Sequence, residues 1–200
     1  ADLGGDFGEW FPMNFQTDVA PAVVGVQNNI YFFAKSLDGR IFYNQAPLGQ
    51  GGSGWVEVEG GGKTDVGPAA GAVGNHIFLA IKGLDGNILL NQADLNGHFG
   101  QWFPMNFSTD AAPAVTGVGN NVYFFAKSID GKIFYNHALI GQGGNGWKEV
   151  DGNGLTDKSP AACAVGNNYM FVAAKENGSN TIIVNQADLG KPFGFWFPSN

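Results

Sequence analysis

Arginine occurs once in this 200-residue chain, at Arg40, and cysteine once, at Cys163. Charged side chains make up only 14% of the residues, and the formal net charge is −7. Nucleic-acid binders draw their affinity from Lys and Arg set against phosphates, so this composition excludes that class. Sialidase chemistry falls with it, because one arginine cannot clamp a sugar carboxylate. A single cysteine makes no internal disulfide. Its setting, the apolar run AACAV, predicts a buried, inert thiol. No stretch of eighteen apolar residues is present, so no membrane-spanning helix is expected. No signal-peptide pattern is visible, which leaves a secreted and a cytoplasmic location both open. His76, His98 and His137 are scattered and no zinc spacing occurs, so neither metal nor cofactor is expected. No segment sustains a helical period with caps, and almost no helix is predicted.

What the chain does have is glycine, aromatic residues and repetition. It holds 32 Gly, 17 Phe, 5 Tyr and 5 Trp. Residues 1–45 match residues 93–137 at 34 of 45 positions without a gap. A more divergent copy follows each, giving repeats of about 1–45, 46–92, 93–137 and 138–186, with a partial fifth at 187–200. Pro-Ala steps recur at Pro21, Pro68, Pro113 and Pro160, and tryptophans at Trp10, Trp55, Trp102, Trp147 and Trp196. A period of 45–50 residues made of short strands predicts an all-β propeller in one domain, with four blades of four antiparallel strands.

The strand order within a blade follows from side-chain size. PAVVGV, PAAGAV, PAVTGV and PAACAV are small and apolar on both faces, which suits the crowded centre of a ring. IYFFAKS and its counterparts are bulkier and fill the space between blades. The Trp segments, FGEWFPMNF in the first repeat, carry prolines tolerated on an edge strand and are placed outermost. Asp-Gly and Asn-rich breaks supply the hairpins. Five Trp segments for four blades leave one outer strand duplicated at the termini. The spare copy is expected to add to a sheet edge, its own or another chain's.

The residues Trp10, Pro21, Ala22, Phe33, Ala34, Lys35, Asp38, Gly39, Ile41, Tyr43 and Asn44 form a pattern that recurs at Trp102, Pro113, Phe125, Ala126, Asp130 and Asn136. The pattern resembles the PLL-like bacterial β-propeller lectins. There a blade carries Trp, a Pro-Ala turn, then a Phe-Ala-Arg and Asp-Gly run ending in Trp-His. Here the Arg is Lys and the Trp-His pair is Tyr-Asn, Leu-Asn or Val-Asn. The resemblance implies a propeller and a glycan ligand, fucose or an O-methylated sugar. The Gly-Gln-Gly-Gly-x-Gly-Trp stretches at 49–55 and 141–147 are also similar to tachylectin-2-type propeller lectins.

Sugar sites join an aromatic face to planar polar groups. One rim of the predicted ring offers both. It gathers the Asn turns and Gln45, Gln92, His137 and Gln186, each leading toward a tryptophan. The candidate ligand-binding residues are therefore Gln45, Trp55, Gln92, Trp102, His137, Trp147, Gln186, Trp196, Asn29 and Asn121. The Thr-Asp-x-x-Pro turns of the other rim are expected to hold blade connections. Phe11, Phe103 and Phe197 point opposite to the adjacent Trp, as a ligand platform or a subunit contact. The expected function is a lectin with two to four similar weak sites and no catalysis. The alternatives are a structural or protein-binding propeller forming a homo-oligomer through the terminal strand or an aromatic patch, and a glycoside hydrolase. A hydrolase would need a carboxylate pair, and Glu57 and Glu59 look solvated.

Overall fold

The computed structural model describes residues 9–94 and 98–198. These residues contain strands and turns and no helix. Four antiparallel sheets follow in chain order. Blade 1 holds β1 (Ala22–Val26), β2 (Asn29–Lys35), β3 (Ile41–Pro47) and β4 (Trp55–Glu57). Blade 2 holds β5 (Ala69–Val73), β6 (His76–Lys82), β7 (Asn87–Ala93) and β8 (Phe103–Ser108). Blade 3 holds β9 (Ala114–Val118), β10 (Asn121–Lys127), β11 (Ile133–Leu139) and β12 (Lys148–Glu149). Blade 4 holds β13 (Ala161–Val165), β14 (Tyr169–Lys175), β15 (Ile182–Asp188) and β16 (Phe197–Pro198). Each sheet runs small-residue strand, aromatic strand, a third strand with a buried mid-strand Asn, and Trp segment, in the order that side-chain size predicts.

Turn chemistry fixes the hairpins. The turn between the first two strands needs a left-handed residue, supplied by Gly74, Gly119 and Gly166 at φ of 56°, 55° and 59°, and by Gln27 at 53°. The Asp-Gly turns put Gly39, Gly86 and Gly131 at φ of 84–88°, where a Cβ is unfavourable. The Thr-Asp turns are structural, as expected. Thr64 Oγ1 accepts a hydrogen bond from the Val66 amide at 3.2 Å, and Thr17, Thr109 and Thr156 do the same in their blades. The neighbouring aspartates pair with lysines at the end of the second strand: Asp18–Lys35 at 2.6 Å, Asp65–Lys82 at 2.6 Å, Asp110–Lys127 at 2.5 Å and Asp157–Lys175 at 2.9 Å. Their hydrogen bonds to these lysines hold the Asp18, Asp65 and Asp157 carboxyls below the ordinary range.

The inner strands pack in succession, β1 on β5, β5 on β9 and β9 on β13, while β13 and β1 make no contact of that extent. The blades thus form an open arc. Burial shows the same thing. Val115 is 7% exposed, and its repeat counterpart Val23 in blade 1 is 60% exposed; Val73 is 3% exposed, and its counterpart Val165 in blade 4 is 55% exposed. This corrects the expectation for Cys163, which is exposed. AACAV is an inner strand of blade 4, and no described residue covers its Cys163 face.

The spare Trp segment also resolves. The C-terminal copy completes blade 4, pairing Val184 with Phe197 and Ile183 with Pro198. The N-terminal copy was expected as a strand, but residues 9–16 join no ladder and residues 7–8 lie outside the described residues. Residues 9–16 instead lie on blade 1. Phe15 sits 4.4 Å from the Trp55 ring and 5.3 Å from Phe42. Phe107 holds the same positions on Trp147 and Phe134 across the blade 2–blade 3 junction. The N-terminal segment therefore occupies the place that the outer strand of a preceding blade would take.

Candidate functional site

A continuous cleft runs along the junction of blades 2 and 3. Its outer part has a volume of about 500 Å³ and is lined by Leu90, Phe103, Pro104, Met105, Asn106, Asn136, Gly144, Gly146 and Trp147. Its inner part, about 310 Å³, shares Phe103 and Met105 and adds Gln92, Gln142 and the floor residues Phe78 and Phe124. Blade 2 contributes the Phe103 face, which is 54% exposed. Blade 3 contributes the Gly-rich loop after β11 and the Trp147 edge.

Local backbone geometry builds this cleft. The β7–β8 ladder shifts register between Asn87 and Leu89, and Asn106 stands at φ 52° in the left-handed region. The irregularity lies in β8 at the cleft, and such bulges often stand beside binding sites. Trp147 Nε1 donates to the Met105 carbonyl at 2.9 Å, tying the two blades. Gly144 lies against the Asn136 carboxamide, where a Cβ would meet Oδ1 at 2.8 Å. Asn136 Oδ1 is buried without a hydrogen-bond partner. The lining carries amides, backbone groups and aromatic carbon, and no charged side chain. Such a surface suits hydroxyls and the apolar face of a ring.

The predicted site residues are spread over all junctions. Gln92 and Trp147 lie in the cleft. Gln45 and His137 take the corresponding strand position in blades 1 and 3 and face the next blade. Gln45 Nε2 donates to Asn29 Oδ1 at 3.2 Å, so the two engage each other. His137 stacks on Tyr123 at 4.9 Å and contacts Asn145 Nδ2 through Nε2 at 3.0 Å. Burial, with Lys148 nearby, lowers its pKa from the ordinary value. Asn121 opens β10 and is half-buried. Gln186 is exposed on the free side of blade 4, in a groove of about 440 Å³ with Phe195, Phe197 and Lys191.

The tryptophans fall into two kinds. Trp55, like Trp147, donates to a methionine carbonyl, that of Met13 at 2.9 Å. Trp102 and Trp196 lie against Gly62 and Gly154, with their Nε1 atoms buried and unpartnered. Trp102 packs on the blade 1–blade 2 core and Trp196 on the blade 3–blade 4 core. Trp196 also edges a groove of about 490 Å³ on the opposite rim, with Glu176 and Asn177.

Sequence reasoning did not single out Met105, Asn106, Asn136 and Gln142 as cleft residues. One signal was available: Phe11-Pro12-Met13-Asn14 and Phe103-Pro104-Met105-Asn106 are identical, and both Asn14 and Asn106 have φ of 52°. Blade 1 therefore carries the same residues, in Phe11, Met13, Asn14, Asn44 and Trp55.

No family profile and no curated protein matches the sequence. Solved structures do. The chain is similar to BP39L lectin from Burkholderia pseudomallei, with a TM-score of 0.82 and 15% identity over 98% of this chain and 61% of that one. It is similar to SapL1 lectin, solved in complex with α-methyl fucoside, with a TM-score of 0.66 and 17% identity over 94% of this chain and 64% of that one. The fucose-specific lectin from Aleuria aurantia gives a TM-score of 0.65 and 18% identity over 89% of this chain and 61% of that one. The chain spans about three fifths of the length of these proteins. Its four sheets of four antiparallel strands, stacked through their inner strands, share the fold of the β-propeller lectins.

Proposed function

We propose that this chain binds neutral glycans through clefts between its blades, without catalysis. The carrying observation is the blade 2–blade 3 cleft, where the exposed Phe103 ring and the Trp147 edge meet the amides of Gln92, Gln142 and Asn136 on an uncharged lining. A sugar ring laid on Phe103 would point its hydroxyls at those amides. Fucose or an O-methylated sugar is the first ligand to try, given the likeness to lectins described with fucosides. The repeated architecture supports two to four such sites of low individual affinity, combined by avidity on a glycan-coated surface. A hydrolytic reading finds no support in a cleft whose described lining lacks a carboxylate pair.

Calorimetric titration with methyl α-fucoside and a panel of neutral monosaccharides tests this. The expected result is weak, saturable binding that Phe103→Ala reduces about tenfold, equivalent to ~1.4 kcal/mol. A folded protein that binds none of the panel, and nothing on a glycan array, removes the proposal.

A further inference from the structure

We infer that the inner part of the blade 2–blade 3 cleft is a slot for a flat apolar group of the ligand, the size of a phenyl ring. The favoured ligand is then a glycan carrying an aromatic aglycone or substituent. The glycan half of this reading rests on the proposed sugar binding, and the slot does not.

The slot comes from three missing rings. The loops 93–102, 138–147 and 187–196 each run ten residues from an Ala to a Trp, so they align without a gap. Their seventh residues are Phe99, Gly144 and Phe193. Phe99 reaches back into the blade 1–blade 2 junction, where it is 3% exposed. Its ring stands edge-on to Phe33 at 5.6 Å and tilted against Tyr43 at 5.3 Å. Phe193 does the same in the blade 3–blade 4 junction, 5.6 Å from Phe125 and 5.1 Å from Tyr135. At the blade 2–blade 3 junction all three places hold smaller side chains. Gly144 stands for the loop phenylalanine, Ala80 for Phe33 and Leu90 for Tyr43. The strand ladders fix the last match: Tyr43 pairs with Val56 and Leu90 with Phe103, each the residue after a tryptophan. Among the three described junctions, this is the one without a ring of its own.

The space so left is about 310 Å³, bounded by Phe78, Leu90, Val122, Phe124, Ala138 and the loop 141–144. An apolar cavity of ~150 Å³ already takes up benzene, so a ring fits here. Phe78 and Phe124 meet edge to face at 6.3 Å in its floor, a surface that suits a further aromatic ring. The backbone does not call for glycine at 144. Gly141 and Gly146 have φ of 77° and 86°, whereas Gly144 lies outside the left-handed region. In the outer part of the cleft, Asn136 is 6% exposed and its Oδ1 has no hydrogen-bond partner. A ligand hydroxyl donating to that oxygen would leave an apolar group of the same molecule to pass inward along Phe103 and Met105, which line both parts.

Calorimetric titration of the wild-type chain with methyl and phenyl glycosides of the same sugars, the α-fucosides first, tests the slot, with benzyl alcohol as the ring alone. Each phenyl glycoside should bind about tenfold tighter than its methyl partner, and benzyl alcohol should bind weakly and saturably. Gly144→Phe restores the residue of the other two loops and should erase both the phenyl gain and the binding of benzyl alcohol. Leu90→Tyr, the residue of blades 1 and 3, narrows the slot from the opposite wall and should act in the same direction. Thermal melting shows which variants are folded. Phenyl and methyl glycosides of equal affinity for the wild type overturn the inference and leave sugar binding standing. So does a phenyl gain that a folded Gly144→Phe or Leu90→Tyr variant retains in full. Benzyl alcohol bound by the wild type and excluded by Gly144→Phe, with every methyl glycoside unbound, supports the slot and counts against the sugar reading alone.

Discussion

Asn91 offers the sharpest test of how the blades are stitched together. It is fully buried within β7. Its Nδ2 donates to the Glu59 carbonyl at 3.2 Å and the Gly100 carbonyl at 3.0 Å, and its Oδ1 accepts from the Gly100 amide at 3.2 Å. One side chain thus joins the outer loop of blade 1 to the loop leading into Trp102. Replacement by Ala removes three part-buried hydrogen bonds to the backbone of Glu59 and Gly100. At a net ~1 kcal/mol per bond, Asn91→Ala should cost about 3 kcal/mol. For a domain of this size that corresponds to roughly 6–12 °C in Tm. Asn185 makes two such bonds, to the carbonyls of Asp151 and Gly194, both at 2.9 Å, while its Oδ1 is unpartnered. Asn185→Ala should cost about 2 kcal/mol on the same basis. Asn136, whose Oδ1 accepts nothing, should cost less than either. Urea denaturation of the three variants, with m-values compared, reads the series directly. An Asn91→Ala variant no less stable than Asn136→Ala would refute the account of these asparagines as inter-blade ties.

Other expectations follow from the same geometry. Gly62→Ala would place a Cβ inside the Trp102 ring and should lower stability by about 1–3 kcal/mol and alter Trp fluorescence, whereas Gly25→Ala, with open space at its Cβ, should do neither. The Asp38 carboxyl is held down to about 2 by Ser36 Oγ and then by Arg40, and Asp18, Asp65 and Asp157 are lowered by their lysines. Depressed carboxyls stabilise the fold above their unfolded pKa near 3.8 and lose that contribution as pH falls through the folded values. The carboxylate contribution should therefore be complete above about pH 5 and be lost between roughly pH 4 and 2, read as a falling Tm. His137 resists protonation in the fold, so stability should also rise with pH through the window just below its ordinary 6.5, and His137→Gln should flatten that slope.

Much of the architecture was legible in the residues. The 34 matches between 1–45 and 93–137, the Pro-Ala steps and the Asp-Gly turns set the repeat, and the repeat set the blades. Small strands such as PAAGAV went inside and the Trp segments outside for reasons of volume. The candidate cleft was only partly legible. Gln92 and Trp147 were named, and Phe103 was marked as facing away from Trp102. Asn106 and Gln142 were missed because a bulge and a loop bring them to the cleft, and neither follows from strand alternation. Cys163 was misplaced for a related reason. Its run is apolar, but apolarity does not say whether a neighbour is present to cover it.

By itself, the sequence determined the unit: which residues pair as strands, which lie innermost, and that successive blades present matching apolar faces. Those are local matters of periodicity, turn conformation and side-chain volume. Only the tertiary structure decided the curvature, because the angle between blades comes from close approaches such as Gly117 on Ala72. That angle leaves β1 and β13 apart and exposes Val23 and Val165 at the two ends.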